Sequence, residues 1–151
     1  MIISIKPKYA HAILDGSKFY EYRKRLPKNT DIDKVYIYAS KPTKAIIAYF
    51  TIGSIISDNP QKVWELTKKD GGITKKLFYD YFKGRDIAHA IKIEGVTKLV
   101  TPLDPKAIIK DFTAPQNFIY TEVELDTPID PKSIIEGFTV PQNFMYVEKD
   151  I

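Results

Sequence analysis

The segment from Gly16 to Arg23 (GSKFYEYR) holds the residues best suited to chemistry. Lys18, Glu21 and Arg23 place two cations and one anion within six residues. If the chain is extended here, side chains two positions apart share a face, so Glu21 lies beside Arg23. Lys18 follows Gly16 closely, and its long flexible side chain can reach toward either face. The spacing therefore predicts a compact charged cluster.

Such a cluster supports two kinds of chemistry. If it is buried, each charge needs a partner, and the two cations would offer fixed donors to a carbonyl, a phosphate or a base edge. Alternatively, Glu21 could act as a general base on water while Lys18 or Arg23 stabilises an oxyanion. A third interpretation is an exposed strand with an ion pair worth about 0–1 kcal/mol. The segment by itself leaves all three open.

The elements around this segment indicate mixed α and β structure. Pro7 is suited to the first turn of a helix, and Gly16 to the residue that ends it. Glycines at positions 53 and 95 interrupt two long β-branched runs and predict bends, which are typical of small barrels. We therefore predict an α+β fold, a small β-barrel with a few flanking helices. The predicted strands cover 2–6, 18–25, 35–39, 44–57 and 86–99, and the predicted helices cover 7–16, 60–69 and 74–83.

The C-terminal third contains a tandem repeat. Residues 101–122 and 127–148 are identical at 15 of 22 positions, at a spacing of 26 residues. Two copies are too few for a solenoid, which needs about three repeats. The repeat predicts a duplicated C-terminal helix–strand unit, which divides the chain into a domain over 1–122 and the second copy over 123–151. The surplus apolar face of the second copy would pack on its own barrel or on a neighbouring chain, which makes a homodimer a hypothesis.

The ordered motifs resemble the ASCH domain family. Its G-x-K-x-x-E-x-R signature matches Gly16, Lys18, Glu21 and Arg23 at every defined position. The stretches at 35–40, 81–93 and 115–120 resemble later elements of the same family, so that the resemblance covers about residues 1–122. It implies a PUA-like β-barrel with a cleft beside the first helix, and a partner that is RNA or a modified nucleoside.

The resemblance also implies a set of site residues. A bacterial branch of the family resembles amidohydrolases of acetylated cytidine that use a lysine, a threonine and a glutamate. This chain keeps Lys18 but has Glu21 at the position of the threonine, which argues against that nucleophile. Other members resemble ribonucleases, for which Lys18 and Glu21 would be the catalytic pair without a metal. The predicted ligand-binding residues are Lys18, Glu21, Arg23, Tyr38, Ser40, Trp64 and Gln116. Tyr38 could equally be a core ring, and a lone Trp on an amphipathic helix, such as Trp64, is more often a core residue than one that stacks on a base.

Composition sets the remaining expectations. The chain has 151 residues, no cysteine and no apolar run near the roughly 20 residues of a membrane helix, so we expect a cytoplasmic protein. His11 and His89 have no neighbours at metal-ligand spacing, and neither a metal site nor a cofactor is predicted. Residues 1–50, 51–100 and 101–151 carry net charges of +6, +3 and −5. A basic first part attracts phosphates, although lysines also keep ordinary surfaces hydrated. A protein-interaction module that docks through the duplicated tail is the remaining alternative.

Overall fold

The computed structural model of the chain describes residues 1–29, 32, 34–115, 118–119 and 149–150. The fold is α+β, as predicted: helices pack against one mixed sheet. The strands are β1 (Ile2–Ile5), β2 (Tyr20–Arg23), β3 (Val35–Ala39), β4 (Ala45–Asp58), β5 (Ala88–Leu103), β6 (Phe118–Ile119) and β7 (Lys149–Asp150). The helices are α1 (Pro7–Leu14), α2 (Pro60–Thr67), α3 (Lys75–Tyr81) and a 3₁₀ helix (Pro105–Ala107).

The sheet is open, so the predicted barrel is wrong. Its strand order is β2-β5-β4-β3-β1-β6-β7, with β1 parallel to β3 and the other pairs antiparallel. The predicted bend near Gly53 is present as a register shift between Ile52 and Ile55 in the β4–β5 ladder. This bulge interrupts one antiparallel ladder without closing the sheet, because β2 and β7 occupy opposite edges and no ladder in the described ranges joins them.

The strands at the centre of the sheet are buried on both faces. In β3, Val35, Ile37 and Ala39 pack into one apolar cluster, which α1 covers with Ala10 and Ile13. The alternate residues Tyr36 and Tyr38 pack into a second cluster, on the opposite face, with Ile108, Ile109 and Phe112. This alternation follows the two-residue period of a strand and explains why β1 and β3 read as continuous apolar runs.

Helices α2 and α3 form a third cluster over the β2–β5 end of the sheet. Both helices begin at a side-chain cap: Asn59 accepts a hydrogen bond from the Lys62 backbone N–H, and Thr74 accepts one from that of Leu77. Their buried faces meet Tyr22 of β2. The connection between them, residues 68–74, therefore runs beside the charged segment. No helix in the described part of the chain is long and apolar enough to cross a membrane.

Only part of the sequence repeat falls within the described residues. The first copy starts in the last residues of β5 and includes the 3₁₀ helix at Pro105–Ala107, and its later strand β6 pairs antiparallel with β1. The second copy, over 127–148, lies outside the described residues. The domain division, the packing of the duplicated unit and the homodimer therefore remain predictions.

Candidate functional site

Lys18, Glu21 and Arg23 form one buried cluster. Their exposed fractions are 3%, 8% and 7%. Arg23 Nη2 lies 2.9 Å from Glu21 Oε1, and Lys18 Nζ lies 3.9 Å from Glu21 Oε2. The structure thus brings together the three side chains that the spacing predicts, in a buried arrangement and not on an exposed strand.

Backbone carbonyl groups hold the two cations in place. Lys18 Nζ donates a hydrogen bond of 2.7 Å to the carbonyl oxygen of Gly71, in the α2–α3 connection. Arg23 Nη2 donates one of 2.8 Å to the carbonyl oxygen of Ser4, in β1. The cluster therefore ties β1, β2 and the α2–α3 connection together, and its donors are fixed before any ligand arrives.

Lys18 occupies a narrow slot. Its Nζ lies 4.9 Å from the centre of the Tyr22 ring and 5.4 Å from that of Tyr9, both within cation–π range. Burial lowers the pKa of Lys18, the negative charge of Glu21 opposes this shift, and the positive charge of Arg23 adds to it. Its ammonium group therefore releases a proton more readily than that of an ordinary lysine.

Tyr22 is a fixed wall of this slot. Its hydroxyl group lies 2.8 Å from Thr67 Oγ1, and its ring packs edge-on against Phe78 at a centroid distance of 5.0 Å. Burial raises the pKa of Tyr22 to about 12, and the hydrogen bond between its hydroxyl group and that of Thr67 opposes the shift. The phenol therefore remains neutral at physiological pH and supports Lys18 without adding charge.

The cluster lines one side of a cleft of about 610 Å³, called here the charged cleft. Apolar and aromatic residues, Tyr9, Ile73, Leu77 and Tyr81, also line it. Lys24 Nζ lies 4.7 Å from the centre of the Tyr81 ring. The charged cleft is lined by Ser4, Ile5, Lys6, Tyr9, Lys18, Glu21, Tyr22, Arg23, Ser40, Ile73, Leu77, Asp80, Tyr81 and Pro115.

The structure places the other predicted ligand-binding residues in different surroundings. Ser40 lines the charged cleft. Tyr38 does not line it. Its ring packs against Phe112 in the apolar cluster on the other face of β3, where it lines a neighbouring cleft. Trp64 is 8% exposed and packs against Phe78 and Tyr79, so its ring belongs to the aromatic core and not to the cleft. Gln116 lies outside the described residues.

Sequence reasoning missed most of the apolar wall. On the sequence alone, Tyr9, Leu77 and Tyr81 had no role in a site. In the structure Leu77 is 42% and Tyr81 36% exposed, whereas Phe78 between them is fully buried. The apolar stripe of α3 is wider than one packed face needs, and this surplus was the signal that could have identified residues lining a cleft.

The histidines lie apart from the cleft. His89 Nδ1 is hydrogen-bonded to Ser57 Oγ at 2.7 Å, between β4 and β5. Burial lowers the pKa of His89. Within the residues that the structure describes, no group of three or more His, Cys, Asp or Glu side chains is arranged to hold a metal ion.

Known proteins resemble this chain in sequence and in fold. An ASCH domain-containing ribonuclease of Zymomonas mobilis is 26% identical over 126 residues, which cover 82% of this chain and 84% of that protein. Large ribosomal subunit protein uL22 of Ureaplasma parvum is 30% identical over 105 residues, which cover 69% of this chain but only 33% of that protein. The crystal structure of ASCH from Zymomonas mobilis superimposes with a TM-score of 0.71 at 27% identity, over 76% of this chain and 82% of that one.

A serine-to-alanine variant of the same Zymomonas protein gives a TM-score of 0.72 at 27% identity, over 77% of this chain and 83% of that one. These structures share the α+β architecture with the present chain. The family model of the ASCH domain matches residues 3–97, which include α1, the charged segment and both walls of the charged cleft except Pro115. On this match the chain belongs to the ASCH domain family.

Proposed function

We propose that this chain binds RNA by taking one nucleotide into the charged cleft. The observation that carries the proposal is the pairing of a buried charged wall (Lys18, Glu21, Arg23) with an apolar, aromatic wall (Tyr9, Leu77, Tyr81 among others). A nucleobase has apolar faces and polar edges, and single-stranded RNA is generally recognised by stacking the first and hydrogen-bonding the second. A volume of about 610 Å³ lies within the range of small-molecule sites.

The charges of the cleft suit a nucleotide. Lys18 and Arg23 outnumber Glu21, so the cluster keeps one positive charge that can attract a phosphate. Glu21 Oε2 is only loosely engaged, at 3.9 Å from Lys18 Nζ, and can accept a hydrogen bond from an amino group of a base. The name of the Zymomonas relative, a ribonuclease, supports RNA over other nucleotide-containing ligands.

Metal-independent cleavage of RNA is the second candidate, favoured by the lowered pKa of Lys18 and by the same relative. Glu21 would take the proton of a ribose 2′-hydroxyl group, whose oxygen then attacks the adjacent phosphorus. Lys18 would stabilise the negative charge on the phosphoryl oxygens. The bond to the 5′-oxygen breaks, that oxygen takes up a proton from Lys18, whose lowered pKa favours its release, and the products are a 2′,3′-cyclic phosphate and a 5′-hydroxyl end.

The amidohydrolase alternative has less support. At the position where that branch has its threonine, the carboxylate of Glu21 is held by Arg23 at 2.9 Å. No threonine is among the described residues that line the charged cleft. Acetylated cytidine is therefore retained as a test substrate and not as the expected one.

Binding and turnover can be measured together on the full chain. Anisotropy with a labelled single-stranded RNA gives the Kd, and mass spectrometry follows RNA and acetylated cytidine in the presence of a chelator. We expect Lys18→Ala to weaken RNA binding at least tenfold and the exposed Lys98→Ala to leave it within twofold. Cyclic-phosphate products lost in both Lys18→Ala and Glu21→Gln would establish cleavage. Equal RNA affinity in Lys18→Ala and the wild type would overturn the proposal and favour docking through the tail.

A further inference from the structure

A second cleft, of about 680 Å³, lies on the opposite side of Ser40. Tyr38 and Phe112 contribute to its lining and pack against each other at a ring-centroid distance of 5.4 Å. Both rings belong to the buried cluster beneath the 3₁₀ helix. The second cleft therefore has a rigid aromatic side, built from β3 and from the segment after the 3₁₀ helix.

The rim of the second cleft is cationic. Lys41, Lys44 and Lys106 line it, and all three are exposed. Asp104 is the acidic residue among its described lining, and Asp104 Oδ1 already accepts a hydrogen bond of 2.9 Å from the Lys106 backbone N–H. The rim keeps a surplus of two positive charges, which favours an anionic ligand.

The turn that carries two of these lysines is fixed. The carbonyl oxygen of Ser40 accepts hydrogen bonds from the backbone N–H groups of Thr43, at 3.1 Å, and Lys44, at 3.4 Å. The Ser40 N–H group in turn donates to the carbonyl oxygen of Ile5, at 2.9 Å. Lys44 adopts a φ of 51°, which is uncommon for a residue with a side chain. The turn thus holds Lys41 and Lys44 beside Ser40.

Ser40 lines both clefts, so the two adjoin at this residue. Because adjacent nucleotides of a strand are joined by a phosphate, a nucleotide in one cleft places its neighbour's phosphate toward the other. We infer that the RNA strand runs from the charged cleft across Ser40 into the second cleft, where Lys41, Lys44 and Lys106 bind backbone phosphates. The inference rests on the proposed function and extends it, because it makes the ligand an oligonucleotide and not a free nucleotide.

The dependence of affinity on strand length tests this path. Oligonucleotides of one, two, four and six nucleotides, with 2′-O-methyl groups that prevent cleavage through the 2′-oxygen, are titrated by calorimetry against the full chain. The wild type is compared with the triple variant Lys41→Ala, Lys44→Ala, Lys106→Ala. The control triple variant Lys62→Ala, Lys68→Ala, Lys98→Ala removes the same charge from exposed lysines that line neither cleft.

We expect wild-type affinity to rise between one and four nucleotides. The rim variant should bind the mononucleotide as the wild type does and bind the four-nucleotide strand at least tenfold more weakly. Its slope of log Kd against log salt should fall by about 2, because each phosphate contact on a single strand contributes about 0.7. The control should keep both the length dependence and most of the slope.

Three outcomes would overturn the inference. The first is a rim variant that binds every strand as the control does, the second is an affinity that does not rise with strand length, and the third is displacement of the longer strands by inorganic phosphate as effectively as by a mononucleotide. Failure of the proposed function is distinguishable: in that case Lys18→Ala would not alter mononucleotide binding. If the rim variant binds long strands more weakly while Lys18→Ala changes no affinity, the path through the charged cleft is wrong and only a phosphate site in the second cleft remains.

Discussion

At the scale of single residues, the buried charge of Lys18 lowers the free energy of unfolding of the protein. Burial lowers its folded-state pKa below the ordinary value of 10.5, so the folded chain holds that proton less tightly than the unfolded chain. The unfolding free energy is therefore reduced below the folded-state pKa and rises as the pH climbs from that value toward 10.5. A buried charge that folding disfavours is typical of a functional position.

Replacing Lys18 by methionine should accordingly separate stability from function. Methionine has a similar length and no charge, and without Lys18 the Glu21 carboxylate still keeps its closer partner Arg23 at 2.9 Å, so no buried charge is left unpaired. We expect Lys18→Met to keep or raise the unfolding free energy at pH 7, by about 1 kcal/mol, and to lose RNA binding. Urea denaturation with the exposed Lys98→Met as control measures this. A loss above about 2 kcal/mol would show that the bonds to Gly71 and Glu21 outweigh the cost of burial.

The neighbours of Lys18 should move its pKa in opposite directions. The negative charge of Glu21 holds the pKa up, and the positive charge of Arg23 holds it down. Glu21→Gln should therefore lower the pKa of Lys18 further, whereas Arg23→Gln should raise it toward 10.5. NMR titration of ¹³C-methylated lysines measures the pKa, with Lys18→Arg to assign the signal. Shifts of the same sign in both variants would contradict the geometry of the cluster.

At the scale of elements, the α2–α3 connection positions Lys18. A Cβ atom at Gly72 would lie 2.7 Å from Lys18 Cβ, closer than real side chains approach. Gly72 also has a φ of 62°, which disfavours any side chain. Gly84 offers a matched comparison, because its φ is 76° but a Cβ atom there would meet nothing within 4 Å.

Gly72→Ala and Gly84→Ala should therefore lose similar amounts of stability through the backbone but differ in RNA binding. Both are expected to lose about 1 kcal/mol of stability from the left-handed backbone. Only Gly72→Ala should also displace Lys18, weaken RNA binding at least tenfold and shift the Lys18 pKa. Denaturation, anisotropy and the methyl-lysine titration measure the three effects. An unchanged Lys18 pKa in Gly72→Ala would show that the connection does not position this group.

Local patterns predicted the elements better than their assembly. The structure has the predicted strand at 35–39, where β-forming residues cluster. Two helices begin at Pro7 and Pro60, as the positions of the prolines predict. The bend near Gly53 was also correct, but a bend does not say whether a sheet closes, and the sheet stays open. Gly71 and Gly72 could be predicted as a helix break, whereas their contact with Lys18 joins residues 53 positions apart.

At the scale of the whole molecule, the charged cleft joins parts of the chain that are distant in sequence. Arg23 is held by Ser4, Lys18 by Gly71, and the apolar wall comes from α1 and α3. Spacing along one strand could place Lys18, Glu21 and Arg23 together, but not the apolar residues that line the rest of the cleft. Tyr38 was a candidate because the family resemblance puts the end of its strand near the cleft, and Trp64 because its ring could stack on a base. The packing of the whole molecule places both rings in buried clusters instead.

The burial of the cluster has a consequence for the form of RNA that can bind. Lys18 is 3% exposed, so a base must enter the cleft to approach it. In a duplex that base must first be unpaired and unstacked, which costs a few kcal/mol and weakens binding by tenfold or more. The net charge of +4 still attracts a duplex, but that attraction is screened by salt.

Single-stranded RNA should therefore outcompete a duplex of the same sequence, by a margin that widens with salt. Between about 50 and 200 mM salt, duplex affinity should fall more steeply, because it rests on phosphate contacts alone. Competition anisotropy at both concentrations, with the wild type and Lys18→Ala, measures the margin. Lys18→Ala should reduce single-strand affinity to that of the duplex and leave duplex affinity unchanged. Equal preference for both forms at high salt would instead place RNA on the surface of the protein, outside the charged cleft.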